Sequence, residues 1–321
     1  MRNPYTEITR REAAARLSAA ALVTAALGGG AFAFHDRRET GSDARALPDW
    51  RAAGPGDRLR TVAARGPDPR VNVRRAVAAL GGMERFVRAG ETVLIKPNVG
   101  WDRLPEQAAN TDPDVIAELV ALCRGAGARR VVVTDISCND PRRCFARSGI
   151  TAAAHAAGAE VVESQRLALV PTRLSGLAGG LEVIEELLLA DRVINVPVAK
   201  HHGLSRVTLG MKNWFGVLGD GRNRLHQDIH RAVADLGALF RPTLTVVDAT
   251  RVLLRNGPQG GSLADVRAVG AVAAGTDPVA CEAWGAAQLG VEARSLGFIA
   301  QAEQRGLGRS DLALIQELGT A

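Results

Sequence analysis

"ETVLIKP", from Glu91 to Pro97, decides the fold. Its middle is a short run of β-branched and aliphatic residues with no strict polar alternation. A strand with one wet face alternates, whereas a strand buried on both faces does not. "RRVVVTD" (Arg129–Asp135), "DRVINVP" (Asp191–Pro197) and "LTVVDA" (Leu244–Ala249) share this character. Helical patterns lie between them. One runs from Pro113 to Gly125 behind Thr111-Asp112-Pro113, and another starts at Thr276-Asp277-Pro278 and runs to Gly290. In each, a capping residue precedes a proline in the first turn. The alternation predicts an α/β fold with a mainly parallel, doubly wound sheet and helices on both faces.

In open α/β sheets, ligands bind in the crevice beyond the carboxyl ends of the strands. Here those ends are polar. The first strand finishes on Lys96-Pro97-Asn98, and the second on Asp135, with Ser137 and Cys138 behind it. The third finishes on Asn195 and leads to Lys200, His201 and His202, and the fourth finishes on Asp248.

The chain has three lysines, Lys96, Lys200 and Lys212, and every other cationic side chain is arginine. A codon bias toward arginine explains why lysine is rare. It does not explain why the survivors fall at or just after this rim. A lysine ammonium can lose its proton when buried, and a guanidinium cannot. These positions are therefore candidates for a base, a nucleophile or a point charge on an anion. In "LSRVTLGMKNWFGVLG", Leu204, Val207, Met211, Trp214, Phe215 and Leu218 fall on one helical stripe. Lys212 flanks the stripe, where it either snorkels to water or faces the cleft.

His201, His202, His226 and His230 cluster in sequence, with His226 and His230 spaced to share a helix face. That spacing suits one metal ion, although no glutamate follows the first histidine. The alternatives are a helix cap for His226 and solvent exposure for His230. Cys138 and Cys144 bracket "NDPRR". In an exported protein they are expected first as a disulfide, with Asp140-Pro141 at the turn, and second as ligands of a metal or cluster. Phosphate-loop, dinucleotide-fingerprint and nucleophile-elbow patterns are missing. "GPQGG" (Gly257–Gly261) reads as a turn or an anion cradle.

A hydrophobic content of 46 % is ample for a packed core in 321 residues. The net charge of +6 is dispersed and aromatics are 4 %, which argues against nucleic-acid binding. Arg10-Arg11 precede an apolar Ala/Gly-rich run to Phe34, the anatomy of a twin-arginine export signal. Residues 1–46 are expected to be that signal, with cleavage patterns at Ala31-Phe32-Ala33 and Ala44-Arg45-Ala46. The alternative is a retained N-terminal membrane anchor. Residues 47–70 read as an extended lead-in, and 71–321 as a single α/β domain. The expected location is periplasmic or extracellular. The translocase is the expected partner, and the membrane is met only through the N-terminal segment.

Together "VLIKPNVG", "ADRVINVPVAKHHGLSRVTLGMKNWFGVLG", "LTVVDA", "NGPQGG" and "GTDPVA" resemble the domain-of-unknown-function 362 family, over about Val71 to Gly290. The resemblance carries family positions onto Lys96, Asn98, Lys200, His202, Lys212, Asn213, Gly216, His226, Asp277 and Pro278. It implies a site and a fold rather than an activity. Some relatives carry a ferredoxin-like cluster domain, whose closely spaced cysteines do not occur here.

The expected function is that of a metal- or iron–sulfur-dependent enzyme or redox protein acting on a small anionic molecule. The alternative is a non-catalytic ligand-binding or cofactor-maturation protein. Lys96, Lys200, Lys212, His202, Asp135 and Asp248 are the candidate catalytic residues. Asn98, Asn213 and Asp277 are the ligand-binding candidates. His202, His226, His230, Cys138 and Cys144 are the candidate metal ligands.

Overall fold

The computed structural model describes residues 44–52, 59–173 and 181–319. The expected export signal lies outside the described residues up to residue 43. Among the described residues, ten strands form the main sheet: β1 (Thr61–Arg65), β2 (Thr92–Lys96), β3 (Arg130–Thr134), β4 (Glu160–Val162), β5 (Arg192–Asn195), β6 (Val198–His202), β7 (Arg206–Thr208), β8 (Leu244–Leu253), β9 (Val266–Gly275) and β10 (Gln316–Leu318). Their spatial order is β10-β1-β9-β8-β5-β2-β3-β4, with β6 on β8 and β7 folded back on β6. Strands β2, β3, β4, β5, β6 and β8 are mutually parallel; β9 and β7 run against them. The sheet is thus mainly parallel, as the continuous aliphatic runs predict.

The helices that flank this sheet and shape its crevice are α1 (Pro69–Ala79), α2 (Pro113–Gly125), α3 (Pro141–Arg147), α4 (Ile150–Ala156), α5 (Gly210–Asn213), α6 (Ile229–Leu239), α7 (Pro278–Gln288) and α8 (Gly297–Gln304). Four of them open in the same way. Asp68, Asp112, Asp140 and Asp277 each accept a backbone N–H of the first turn, and each is followed by proline. The carboxylate satisfies an orphan donor where proline has none to offer. Asp140-Pro141 therefore starts α3 and does not turn a disulfide loop.

Helices cover both faces. Val93 and Ile95 of β2 join the core formed with α1, α2 and α4, while Leu94 joins the core formed with α5, α6, α7 and α8. Strand β8 divides likewise, with Val246 on the first side and Val247 on the second. Two-sided burial is the physical reason these strands show no alternation.

Two expectations change. The single helix from Leu204 to Leu218 is broken in two. Arg206–Thr208 is strand β7, paired to β6 through Thr208 and Lys200, and helix begins only at Gly210. β-Branched Val207 and Thr208 suit the pleated hairpin, and Leu204 is exposed at its tip. Thr61–Arg65, within the expected lead-in, is an internal strand hydrogen-bonded on both sides. A smaller sheet joins Arg45–Ala46, Leu169–Arg173 and Leu181–Ile184.

From β2 the chain steps outward to β3 and β4, then returns to the other side of β2 as β5 and proceeds to β8. The winding reverses between β2 and β5. Lys96 and Asn195, the last residues of these two strands, are register partners there. This is the switch point at which an open α/β sheet leaves a crevice.

Candidate functional site

A cavity of about 410 Å³ lies at this point. Lys96, Asn98, Asp135, Cys138, Lys200, His202, Lys212, Asn213 and His226 all line it. Residues distant in sequence converge because β2, β3, β6 and α5 end or begin at the same edge.

The three lysines are all buried, with relative exposures of 0 % for Lys96, 1 % for Lys200 and 7 % for Lys212. Their surroundings differ. Lys96 Nζ lies 2.8 Å from Asp135 Oδ1. It also donates to Asn213 Oδ1 at 2.8 Å and to the Pro97 carbonyl at 2.9 Å. Its three protons are thereby spoken for. Asp135 Oδ2 accepts the Val99 N–H at 2.7 Å. Burial pushes Lys96 down and Asp135 up, and their mutual attraction opposes both shifts. Asp135 therefore holds Lys96 in place.

Gly216 closes over this pair. A Cβ there would lie 1.9 Å from Asp135 Oδ1 and 2.6 Å from Lys96 Nζ. The Gly216 carbonyl accepts the Ile136 N–H at 2.8 Å, which fixes the approach.

Lys200 donates to Asn98 Oδ1 at 2.8 Å and to the Ala109 carbonyl at 2.5 Å, both neutral acceptors. Burial pushes it down to about 7. A chain of hydrogen bonds links it to Lys96, because Asn98 Nδ2 donates at 3.0 Å to the same Asn213 Oδ1 that Lys96 uses. Asn213 Nδ2 in turn donates to Asn195 Oδ1 at 2.8 Å. Both asparagines thus fix the amines, and both also line the cavity.

Lys212 has no hydrogen-bond acceptor among the described residues. Its Nζ sits 3.7 Å from the centroid of the Phe215 ring, a cation–π contact. Burial pushes it down to about 8. Helix α5 carries both Lys212 and Asn213, and its start is held by Glu282 of α7, whose Oε1 accepts the Met211 N–H at 2.5 Å. Glu282 is fully buried and pushed up to about 8 by that burial.

The two histidines in the cavity are of opposite kind. His202 Nδ1 accepts the N–H groups of Leu204 at 3.1 Å and Ser205 at 3.3 Å. Its neutral ring therefore carries the proton on Nε2. Burial, then Lys212 and Lys200, push it down to about 3. His226 Nδ1 lies 3.2 Å from the Asn223 carbonyl, which can only accept. Nδ1 is therefore the protonated nitrogen and Nε2 keeps its lone pair. Burial and then Lys212 lower this group too.

Asp135, the one carboxylate lining the cavity among the described residues, is spent on Lys96. Lys200, Lys212 and Arg222 have no carboxylate within ion-pair distance among the described residues. Arg222, which sequence reading missed, donates to the Phe215 carbonyl at 2.9 Å. The chamber is cationic.

Of the remaining candidates, all but Cys138 lie elsewhere. Asp248 accepts the Asp112 and Thr250 N–H groups, each at 2.8 Å, so it anchors the start of α2. Burial pushes it up to about 6. Asp277 caps α7 through Ala280 N and also accepts the Arg309 N–H. His230 stacks on Phe298 with ring centroids 5.9 Å apart. It cannot share a face with His226 because Arg222–Asp228 is 3₁₀ and the α-helix starts only at Ile229. Cys138 and Cys144 are both free thiols, Cys138 exposed and Cys144 buried.

This donor set does not fit a metal ion or an iron–sulfur cluster. Among the described residues no three His, Cys, Asp or Glu side chains converge. His202 Nδ1 is occupied by two backbone donors, and Cys123 and Cys281 lie in separate cores.

A thylakoid-associated protein of Synechocystis is 28 % identical over 219 residues, covering 66 % of this chain and 67 % of that protein. Among solved structures, the lactate racemase apoprotein of Thermoanaerobacterium thermosaccharolyticum superposes with a TM-score of 0.39 at 14 % identity, over 74 % of this chain. A Thermotoga maritima protein gives a TM-score of 0.35 at 11 % identity, over 75 % of this chain. The chain spans 59 % and 60 % of those two structures' own lengths. Residues 93–287, more than half of the chain, match the model described as domain of unknown function DUF362, and the chain belongs to that family.

Proposed function

We propose that this protein is an exported enzyme that binds a small anionic molecule and moves a proton on it. The observation that carries the reading is the pairing of two neutral imidazoles, one a donor and one an acceptor, in a chamber where Lys200, Lys212 and Arg222 lack carboxylate partners among the described residues. Lys212 and Arg222 hold the anion. His226 Nε2 is the base, and His202 Nε2–H donates to oxygen that gains charge. Proton transfer by such positioned groups contributes about 10²–10⁴ in rate.

Export rests on the N-terminal signal anatomy. We place cleavage after Ala33, because Arg45–Ala46 pairs with Thr172–Arg173 and a cut after Ala46 would remove that strand. Among the described residues no helix is long and apolar enough to cross a membrane.

The test is hydrogen–deuterium exchange in heavy water, followed by proton NMR. The substrates are a panel of carboxylates and phosphates with a C–H beside a carbonyl. The full chain should exchange at least one of them, and His226→Gln should slow that exchange by about 10²-fold or more. Exchange unaffected by His226→Gln overturns the assignment. Binding across the panel without exchange supports the non-catalytic alternative.

A further inference from the structure

The three buried amines offer three different arrangements of hydrogen-bond partners. Lys96 has three acceptors, one of them a carboxylate, which is the complement of an ammonium. Lys212 has an aromatic face and no acceptor among the described residues, which suits a cation awaiting an anion. Lys200 has two acceptors, both neutral. A neutral amine has two N–H groups and one lone pair. Asn98 Oδ1 and the Ala109 carbonyl take both N–H groups and leave the lone pair free, and Lys200 lines the cavity.

We propose that Lys200 is a nucleophile that forms an imine with a small aldehyde or ketone bearing a carboxylate or phosphate. This rests on the reading of the cavity as an anion site and names its substrate class. The steps balance without an oxidant or reductant. The Lys200 lone pair attacks the carbonyl carbon, the C=O π pair moves to oxygen, and His202 Nε2–H protonates it while the first proton of the attacking nitrogen passes to His202 Nε2, which restores the neutral ring. The carbinolamine nitrogen then gives its remaining proton to the hydroxyl, which leaves as water. The C=N bond replaces C=O, one water leaves, and the anionic group stays on Lys212 and Arg222. An imine draws electrons from the neighbouring C–H, which is the proton His226 is placed to take.

Burial supports the same assignment. With its midpoint near 7, Lys200 is roughly half neutral at neutral pH, against roughly one part in a few thousand for an ordinary lysine. Only four amines exist in the chain, three lysines and the N-terminus, so a covalent adduct can be mapped without ambiguity.

The experiment treats the full-length protein with glyoxylate and sodium borohydride at neutral pH, then maps the product by peptide mass spectrometry. The hydride reduces the C=N carbon and leaves a carboxymethyl group on nitrogen. The expected result is modification at Lys200, at least tenfold above Lys96, Lys212 and the N-terminus, and suppressed by excess sulfate. Lys200→Arg should abolish it while the melting transition is retained; if that variant fails to fold, the wild-type map still decides. Modification centred on Lys212 or on the N-terminus, or none at all, overturns the proposal. Sulfate binding, measured by calorimetry on the same sample, separates the two readings. If sulfate binds without modification of Lys200, the imine fails and the anion site stands. If sulfate does not bind and Lys200 is unmodified, both fail.

Discussion

Replacing Gly216 by alanine should be among the most damaging single-methyl additions in the molecule. The added carbon would lie 1.9 Å from Asp135 Oδ1 and 2.6 Å from Lys96 Nζ, well inside contact distance. Side-chain ends often swing aside at small cost, but these two cannot. Asp135 is tied to Val99 N, and Lys96 to Asn213 and the Pro97 carbonyl, and both are nearly inaccessible to solvent. Relief requires parting the ion pair or moving the loop that Gly216 anchors through Ile136. Overpacking alone costs about 1–3 kcal/mol. Breaking a buried pair costs about 3–5 kcal/mol, because each charge is left uncompensated. We expect Gly216→Ala to lose about 3 kcal/mol or more, read as a lower urea midpoint at constant slope. Gly203→Ala is the internal control. Gly203 lines the same cavity, but nothing lies within 4 Å of a Cβ there, so its effect should stay within about 0.5 kcal/mol. Equal stabilities for the two variants would refute the close packing of Gly216 on the Lys96–Asp135 pair.

Sulfate affinity should fall as pH rises through 7 to 8, because Lys200 and then Lys212 lose their charges there, and Lys212→Gln should flatten the alkaline end of that profile in calorimetric titrations. His230→Gln should leave sulfate affinity within about twofold of wild type, since His230 packs on Phe298 away from the cavity, while melting shows a modest loss of stability. Glu282 makes the last prediction. Its folded value is raised from 4.5 to about 8, so the folded state holds a proton that the unfolded state releases. The stability it contributes is present below 4.5 and is lost as pH rises through 8. Glu282→Gln should therefore gain melting temperature relative to wild type as pH increases across this window, and a constant difference between the two would contradict the assignment.

The strands beneath the site were legible because two-sided burial writes an uninterrupted aliphatic run, and their polar ends stood out against it. Lys96, Lys200 and Lys212 meet as their positions at the strand ends imply. The hairpin before α5 was not legible. Apolar residues at helical spacing from Leu204 to Leu218 are satisfied equally well by a short β-branched strand followed by a helix. The pairing of His226 with His230 failed for a related reason, since spacing alone does not distinguish a 3₁₀ turn from an α-turn. Asp248 and Asp277 carry the right chemistry at the right ends, but backbone N–H groups consume both. Glu282 had one available signal: it is the only charged residue in "VACEAWGA", a stretch of α7 otherwise apolar and buried. An acidic residue so placed must find buried donors, and it finds them at the start of the helix that carries Lys212.

The proposed chemistry turns on two imidazoles held neutral in opposite tautomers beside unpaired cations. Nitrogen-15 NMR of the ring nitrogens at neutral pH reads this directly. His202 should show a bare Nδ1 and a protonated Nε2, His226 the reverse, and neither should titrate as an ordinary histidine above its usual 6.5. Matching tautomers in the two rings, or a positive charge on either at that pH, would contradict it.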